Sequence, residues 1–237
     1  MVVVTAIDAA FRPGLVALAN SIKINSPGIE LHAYTFGEVA PVDGVKMIPA
    51  PVWDVHYPVS DHWPESSRPS MFRLYLPRLY DERIVWLDAD CVVVGSLDPL
   101  FSMAFDEPVA TVYVPWSTYE LGFCVPDIPP ELRQIRNPFN ATMVFNVDEW
   151  NRQGITEKCA AATHEKLTFR FLDQSVLGYV LRGNFHHLDM RWSWFANRGE
   201  LAIPKDAKVL HWPGGRPWAD NLPNGELWAR YDESAPA

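Results

Sequence analysis

The sequence predicts an α/β fold, with a mostly parallel central sheet flanked by helices, and three observations carry that prediction. Short apolar runs rich in β-branched residues alternate with stretches of helical spacing along the chain. The composition, 48% apolar and 21% charged over 237 residues, suits a chain that buries a sizeable core. One hydrophobic strand runs directly into two acids, Asp88 and Asp90, and the C-terminal edge of such sheets is where ligands bind.

Taken in order, residues 1–6 (MVVVTA) are the first strand, and Pro13 opens a helix with Leu15, Leu18, Ala19 and Ile22 on one face. Residues 30–36 (ELHAYTF) and 45–48 (VKMI) are strands bounded by Gly or Pro. Prolines interrupt residues 49–69, which read as a loop over one edge. Helical spacing returns over 70–80 through Met71, Leu74 and Tyr75, assigned to packing, and Pro77 ends or kinks that helix. Residues 83–87 (RIVWL) are a buried strand leading to Asp88-Ala89-Asp90. Residues 91–94 (CVVV) resume as a strand, and Asp98-Pro99 starts a short helix reaching Phe101. Residues 109–114 and 141–147 are strands separated by a Pro-rich loop. Asp148 is the expected cap of a helix over 149–166. A later helix covers 173–182, a strand 185–188, and Val209-Leu210 form a last strand ending at His211. No repeat and no shift of composition marks a second domain, so residues 1–237 are read as one.

Twenty Lys and Arg against 29 Asp and Glu leave a net charge of -9, which argues against nucleic acid as a partner. No apolar run reaches the ~18–20 residues of a bilayer-spanning helix, so no transmembrane segment is expected. No basic segment followed by an apolar stretch opens the chain, so no signal peptide is expected either. Cys91, Cys124 and Cys159 are odd in number and far apart, which fits neither a disulfide framework nor a zinc cluster and suits the cytoplasm.

Strand alternation points the Asp88 and Asp90 side chains the same way, and two such acids call for a cation or a proton between them. A divalent ion answers that need. Hard oxygen ligands favour Mg²⁺ or Mn²⁺, and such an ion lets an acidic protein bind an anionic diphosphate. The plain alternative is a solvated acidic turn. Residues 211–218 (HWPGGRPW) place a histidine at a strand end, where a neutral imidazole completes a metal shell and shifts preference toward Mn²⁺. Gly214 and Gly215 let backbone N–H groups approach an oxyanion, and Arg216 supplies charge for phosphate, unless the segment is only a Gly/Pro turn. Asp173-Gln174 opens a helix, where Asp is an ordinary cap. The pair also suits binding of sugar hydroxyls or a developing oxocarbenium ion.

These residues bring a resemblance. The chain resembles the retaining glycosyltransferases of family 8, the group of glycogenin and of bacterial lipopolysaccharide galactosyl- and glucosyltransferases. Leu87-Asp88-Ala89-Asp90 with Val92, Gly95 and Leu100-Phe101 is similar to that family's Leu-Asp-x-Asp block. VVTAIDAAFRPGLVALANSI is similar to its opening strand, nucleotide loop and first helix. Phe139-Asn140-Ala141, Asp173-Gln174 and HWPGGRPW resemble three later blocks in the same order.

The resemblance implies a GT-A nucleotide-sugar, Rossmann-like fold and metal-dependent retaining transfer of a hexose from a UDP-sugar to a carbohydrate or other hydroxyl acceptor. Asp88, Asp90 and His211 would hold Mn²⁺, with Mg²⁺ the second choice, against the donor diphosphate, near Ala89, Gly214 and Arg216. Ala6, Asp8 and Phe11 would contact the uracil. Arg73, Asn140, Ala141, Asp173 and Gln174 would surround the donor sugar. Retention in the family is explained by front-face attack, with the leaving phosphate taking the acceptor's proton, which makes Gln174 and Asp173 the catalytic candidates. The sequence departs from the family at Arg216, usually Lys and one residue further on, at Thr142, usually Gly, and at Ala10-Phe11, usually a polar residue and Tyr. It ends in YDESAPA rather than a basic aromatic tail.

Among ten tryptophans, Trp192 and Trp194 are the acceptor-site candidates, as flat faces for sugar C–H groups, with core packing the competing role. Cys91 is read as a buried strand residue. Two rival functions remain: a non-catalytic nucleotide-sugar or sugar-binding module on the same fold, and an aspartyl-nucleophile phosphatase, which also uses Asp-x-Asp after a strand.

Overall fold

A computed structural model describes residues 1–53, 68–113 and 120–232. The proline-rich loop expected over 49–69 therefore lies mostly outside the described residues, as do Val114 of the expected strand and most of the acidic end. The elements run β1 (Val2–Ile7), α1 (Arg12–Asn25), β2 (Glu30–Thr35), β3 (Val45–Pro49), α2 (Arg68–Phe72), β4 (Ile84–Leu87), β5 (Cys91–Val93), α3 (Asp98–Ser102) and β6 (Val109–Tyr113). Then follow α4 (Leu121–Cys124), β7 (Pro138–Phe145), α5 (Val147–Arg152), α6 (Ile155–Ala162), α7 (Leu172–Leu181), β8 (His186–Leu188), β9 (Trp194–Phe195), β10 (Val209–His211) and α8 (Gly225–Ala229). The chain divides into two compact units.

The first unit comprises Met1–Ala50, Val85–Met103 and Met190–Ala237. Its strands follow the order β3-β2-β1-β4, with β1 parallel to β2 and β2 parallel to β3. Val3 to Ile7 are buried without alternation, as a strand covered on both faces requires. In α1, Pro13 occupies the first turn and Leu15, Leu18 and Ile22 are buried. Two hydroxyls near the end of that helix anchor the chain after the acids: Ser21 Oγ accepts from the Val93 N–H at 2.9 Å and Ser26 Oγ from the Leu97 N–H at 2.9 Å. A second sheet, β5-β10-β9, pairs β10 antiparallel to β5 and parallel to β9, over a core that includes Ala17, Val92, Leu210, Trp212 and Trp228.

The second unit comprises Pro51–Ile84 and Ala104–Asp189. Here β6 lies between β7, antiparallel, and β8, parallel, so β6–β7 is an antiparallel pair in the mostly parallel sheet that strand-helix alternation predicts. The register jumps between Thr111, opposite Met143, and Val112, opposite Phe139, leaving residues 140–142 as a bulge. Thr111 Oγ1 lies 2.8 Å from the Phe139 carbonyl and 2.9 Å from that of Thr142, so one hydroxyl proton serves the interrupted ladder.

Several element limits differ from expectation for local reasons. The helix expected over 70–80 is a single α-turn pair at α2 followed by a 3-10 turn, Leu76–Arg78, whose first turn accommodates Pro77. The helix expected over 149–166 splits into α5 and α6 at Gly154, which takes a left-handed φ of 64°. Its cap is Asn146, whose side chain accepts from the Glu149 N–H, rather than Asp148, which sits in the first turn.

Candidate functional site

In the first unit, the buried strand β4 ends at Leu87 and the chain turns through Asp88, Ala89 and Asp90 into β5. The Cys91 N–H donates to the Asp88 carbonyl at 3.1 Å and closes that turn. Antiparallel pairing sets His211 of β10 directly across from Cys91, and the Trp212 N–H donates to the Asp90 carbonyl at 3.2 Å. His211 Nε2 thereby reaches Asp90 Oδ1 at 3.2 Å, with both side chains largely buried. Ligand atoms of Asp90, Cys91 and His211 all lie within 4.8 Å of one another. Asp88 is not a member of this group, and its Oδ1 accepts from the Trp86 indole N–H at 2.7 Å. A carboxylate, an imidazole and a thiol so close, drawn from two paired strands, suit a divalent cation of hard to borderline character.

The sequence reading missed what supports this turn. A Cβ on Gly14 of α1 would stand 2.4 Å from the Ala89 carbonyl oxygen and 3.0 Å from the Trp218 ring, so only glycine lets the helix carry the acid turn this closely. A glycine beside Pro13 in an otherwise good helix, where it costs about 1 kcal/mol relative to Ala, was the available signal.

Asp8 and Phe11 follow β1, with Ala6 near its end. The Asp8 carboxylate caps a 3-10 turn by accepting from the N–H groups of Ala10 at 3.0 Å and Phe11 at 3.3 Å. The Arg216 guanidinium lies over the Phe11 ring at 5.6 Å, and that ring meets Trp218 edge-on at 5.4 Å. Of the two glycine N–H groups expected to face an oxyanion, that of Gly215 is engaged within the turn. The Gly215 N–H donates to the Trp212 carbonyl at 3.1 Å and the Arg216 N–H to Asp220 Oδ2 at 2.8 Å, so both are consumed inside the turn around Gly214.

In the second unit, Arg73, Asn140 and Asp173 form one buried cluster. Arg73 Nε pairs with Asp173 Oδ2 at 3.0 Å and donates to the Ser70 carbonyl at 2.7 Å, while Nη1 donates to the Asn140 carbonyl at 2.6 Å. Asn140 Nδ2 donates to the same Asp173 oxygen at 2.5 Å. Asn140 belongs to the β7 bulge, which frees its backbone carbonyl for Arg73. Asp173 stands in the first turn of α7, where a negative charge favours the helix, but it does not cap it; that position is Phe171. Beside it Gln174 is 6% exposed, and its Nε2 is buried without a hydrogen bond among the described residues. Such an unsatisfied amide donor costs stability unless a ligand accepts from it. Ala141 and Thr142 are buried in β7.

The acceptor candidates are less open than expected. Trp192 is 9% exposed and packed into the interior, because large aromatic area favours burial, and Trp194 is half-buried in β9 against the core.

The glycosyl transferase family 8 model matches residues 2–222. A curated protein, glycosyltransferase GlyB of Streptococcus pneumoniae serotype 4, is 23% identical over 208 residues, 79% of this chain and 47% of GlyB. Among solved structures, the bifunctional glycosyltransferase WbbM matches with a TM-score of 0.75 and 18% identity, covering 99% of this chain and 50% of WbbM. An active-site mutant of LgtC matches with a TM-score of 0.74 and 15% identity over 100% of this chain and 98% of LgtC. The chain thus spans about half the length of GlyB and WbbM. The fold is GT-A, as in these glycosyltransferases.

Proposed function

We propose that this chain, which belongs to glycosyl transferase family 8, is a retaining glycosyltransferase that uses a divalent metal to move a hexose from a UDP-sugar to a carbohydrate or other hydroxyl acceptor. The observation that carries the reading is the approach of His211 Nε2 to Asp90 Oδ1, 3.2 Å apart, from two strands distant in sequence. LgtC, a galactosyltransferase solved with donor and acceptor sugar analogs, shares the fold and adds support. Residues 1–237 act in this reading as one catalytic domain. The proposed compartment is the cytoplasm, in keeping with three unbridged cysteines; no helix of the described residues is long and apolar enough to cross a membrane.

Asp90 and His211, with Asp88, would hold the cation, Mn²⁺ or Mg²⁺ in this reading. The bound ion would supply positive charge to the departing diphosphate. Arg216 adds a guanidinium for the same anion, and Phe11 presents a ring to the uracil with Asp8 and the backbone at Ala6. Arg73 and Asn140 fix the Asp173 carboxylate so that it can accept from hydroxyls of the donor sugar. Gln174 offers its buried amide to the sugar near the anomeric carbon, and the leaving phosphate takes the proton of the acceptor hydroxyl. Trp194 offers the more accessible of the two candidate acceptor faces.

The test combines binding and turnover. Mn²⁺ and UDP together raise the Tm by more than either alone, and UDP is released from at least one UDP-hexose with an α-configured product by NMR. Asp90→Asn abolishes the metal-dependent part of donor binding. Synergistic binding without UDP release from any UDP-hexose would identify a non-catalytic module, and orthophosphate release from phosphomonoesters a phosphatase.

A further inference from the structure

We propose that the second unit carries a separate cleft for an acidic sugar, a hexose bearing a phosphate or a carboxylate, held by Arg136 and Arg182 over a floor of Tyr113, Phe185 and His187. The choice of a sugar as carrier of the anion rests on the functional reading above; the anion site itself does not.

Sheet register builds the floor. β8 runs parallel to β6 with His187 opposite Thr111, so alternation sets His187, Phe185 two residues before it and Tyr113 two residues beyond Thr111 on one face. The Tyr113 and His187 rings meet edge-on at 5.8 Å, and Phe185 is buried. With Ile135 and the two arginines they line a cleft of about 300 Å³, at the lower end of the range for small-molecule sites.

Charge selects the ligand. The Arg136 guanidinium lies over the Tyr113 ring at 4.5 Å and that of Arg182 over the Tyr179 ring at 5.6 Å, and neither pairs with a carboxylate among the described residues. Glu165 is engaged by the Tyr179 hydroxyl at 2.8 Å. Two such cations at one cleft stand out in a chain of net charge -9. Lost hydration and then the Arg136 charge hold the His187 pKa down, the mark of an imidazole that gains from an anion beside it. Guanidinium forks match the oxygens of phosphate and carboxylate alike, while ring faces take the C–H groups of a sugar. Arg182 ends α7 at a left-handed φ of 50°, a position that favours glycine, and so is held there against backbone preference. The ten residues of α7, about 15 Å, separate it from Asp173 and Gln174, so the cleft is distinct from the donor-sugar cluster.

The experiment titrates glucose 6-phosphate, glucuronate, glucose and inorganic phosphate into the full chain in EDTA, which silences the metal site, and follows the His187 imidazole resonances by NMR, identified by their loss in His187→Gln. At least one acidic sugar should move these resonances and bind about tenfold or more tightly than glucose, and the tighter of the two identifies the anion. Glucose 6-phosphate or glucuronate should also exceed inorganic phosphate by about threefold or more. The double variant Arg136→Gln/Arg182→Gly, in which glycine suits the left-handed φ and so protects folding, should lose about tenfold or more in affinity while keeping the wild-type rise in Tm with Mn²⁺ and UDP. No binding of either acidic sugar, equal binding of glucose, or full affinity in the double variant overturns the cleft. Inorganic phosphate as tight as the better acidic sugar overturns the sugar and leaves an anion site. A wild type without the Mn²⁺ and UDP rise overturns the functional reading instead, because the EDTA titrations do not depend on it.

Discussion

Gly14 lies beneath Ala89: a methyl group added to the first would stand 2.4 Å from the carbonyl oxygen of the second, and Trp218 closes the same space at 3.0 Å. The acid-bearing turn therefore rests on bare helix backbone. Gly14→Ala gains about 1 kcal/mol of helix propensity and meets backbone that cannot move without moving Asp88 and Asp90. We expect a net loss of about 1–3 kcal/mol by urea denaturation, the range for overpacking, together with weaker metal binding. A variant as stable as wild type, with unchanged metal affinity, would remove the argument.

The Arg73–Asp173 pair gives a second expectation. Both side chains are largely buried, so removing one partner strands a charge, at a cost of about 3–5 kcal/mol. Asp173→Leu and Arg73→Leu should each destabilise on that scale, and the double variant should be far less unstable than their sum. Additive effects in a double-mutant cycle would show that the two charges do not depend on each other.

Gly178 of α7 faces Asn137, and an added Cβ would fall 1.7 Å from Asn137 Oδ1. Gly178→Ala should therefore destabilise strongly, unlike an ordinary helical Gly→Ala change, and Asn137→Ala should relieve much of the loss. Asn137 is buried and donates to Cys124 Sγ at 3.3 Å, so its own removal is not free. The decisive reading is the coupling between the two substitutions; none would mean that the helix simply shifts.

His187 supplies a pH dependence. Lost hydration, then the nearby Arg136 guanidinium, hold its pKa below the usual value, against the opposing pull of a Tyr113 backbone hydrogen bond and the Asp189 charge. The unfolded chain then takes up a proton near pH 6.5 while the folded chain does so only at lower pH. Stability from this group is present above that point and declines as pH falls through the window between the two values. His187→Gln should flatten that part of the stability curve; superimposable wild-type and variant curves would count against it.

Much of the fold was legible because it is local. β-branched runs gave β1, β4 and β6, Gly and Pro boundaries gave β2, Pro13 marked the start of α1, and Leu15, Leu18 and Ile22 of its apolar face are buried. Two short elements were not: β9 has two residues and α8 five, too few for any periodicity. The break at Gly154 was hidden by apolar spacing that continues past it, and the choice of Asn146 over Asp148 as cap depended on where β7 ends.

For the candidate site, the sequence alone determined the chemical stock: two acids at a strand end, a histidine before a Gly-Gly-Arg turn, an Asp-Gln pair opening a helix. Tertiary structure decided which of these meet. It joined His211 to Asp90 and Cys91, turned Asp173 toward Arg73 and Asn140, and engaged the Gly215 and Arg216 N–H groups within their own turn. The reason is physical: propensity and alternation act over a few neighbouring residues, whereas strand register, a β-bulge and the approach of one backbone to another are fixed by pairing between segments that no local pattern records.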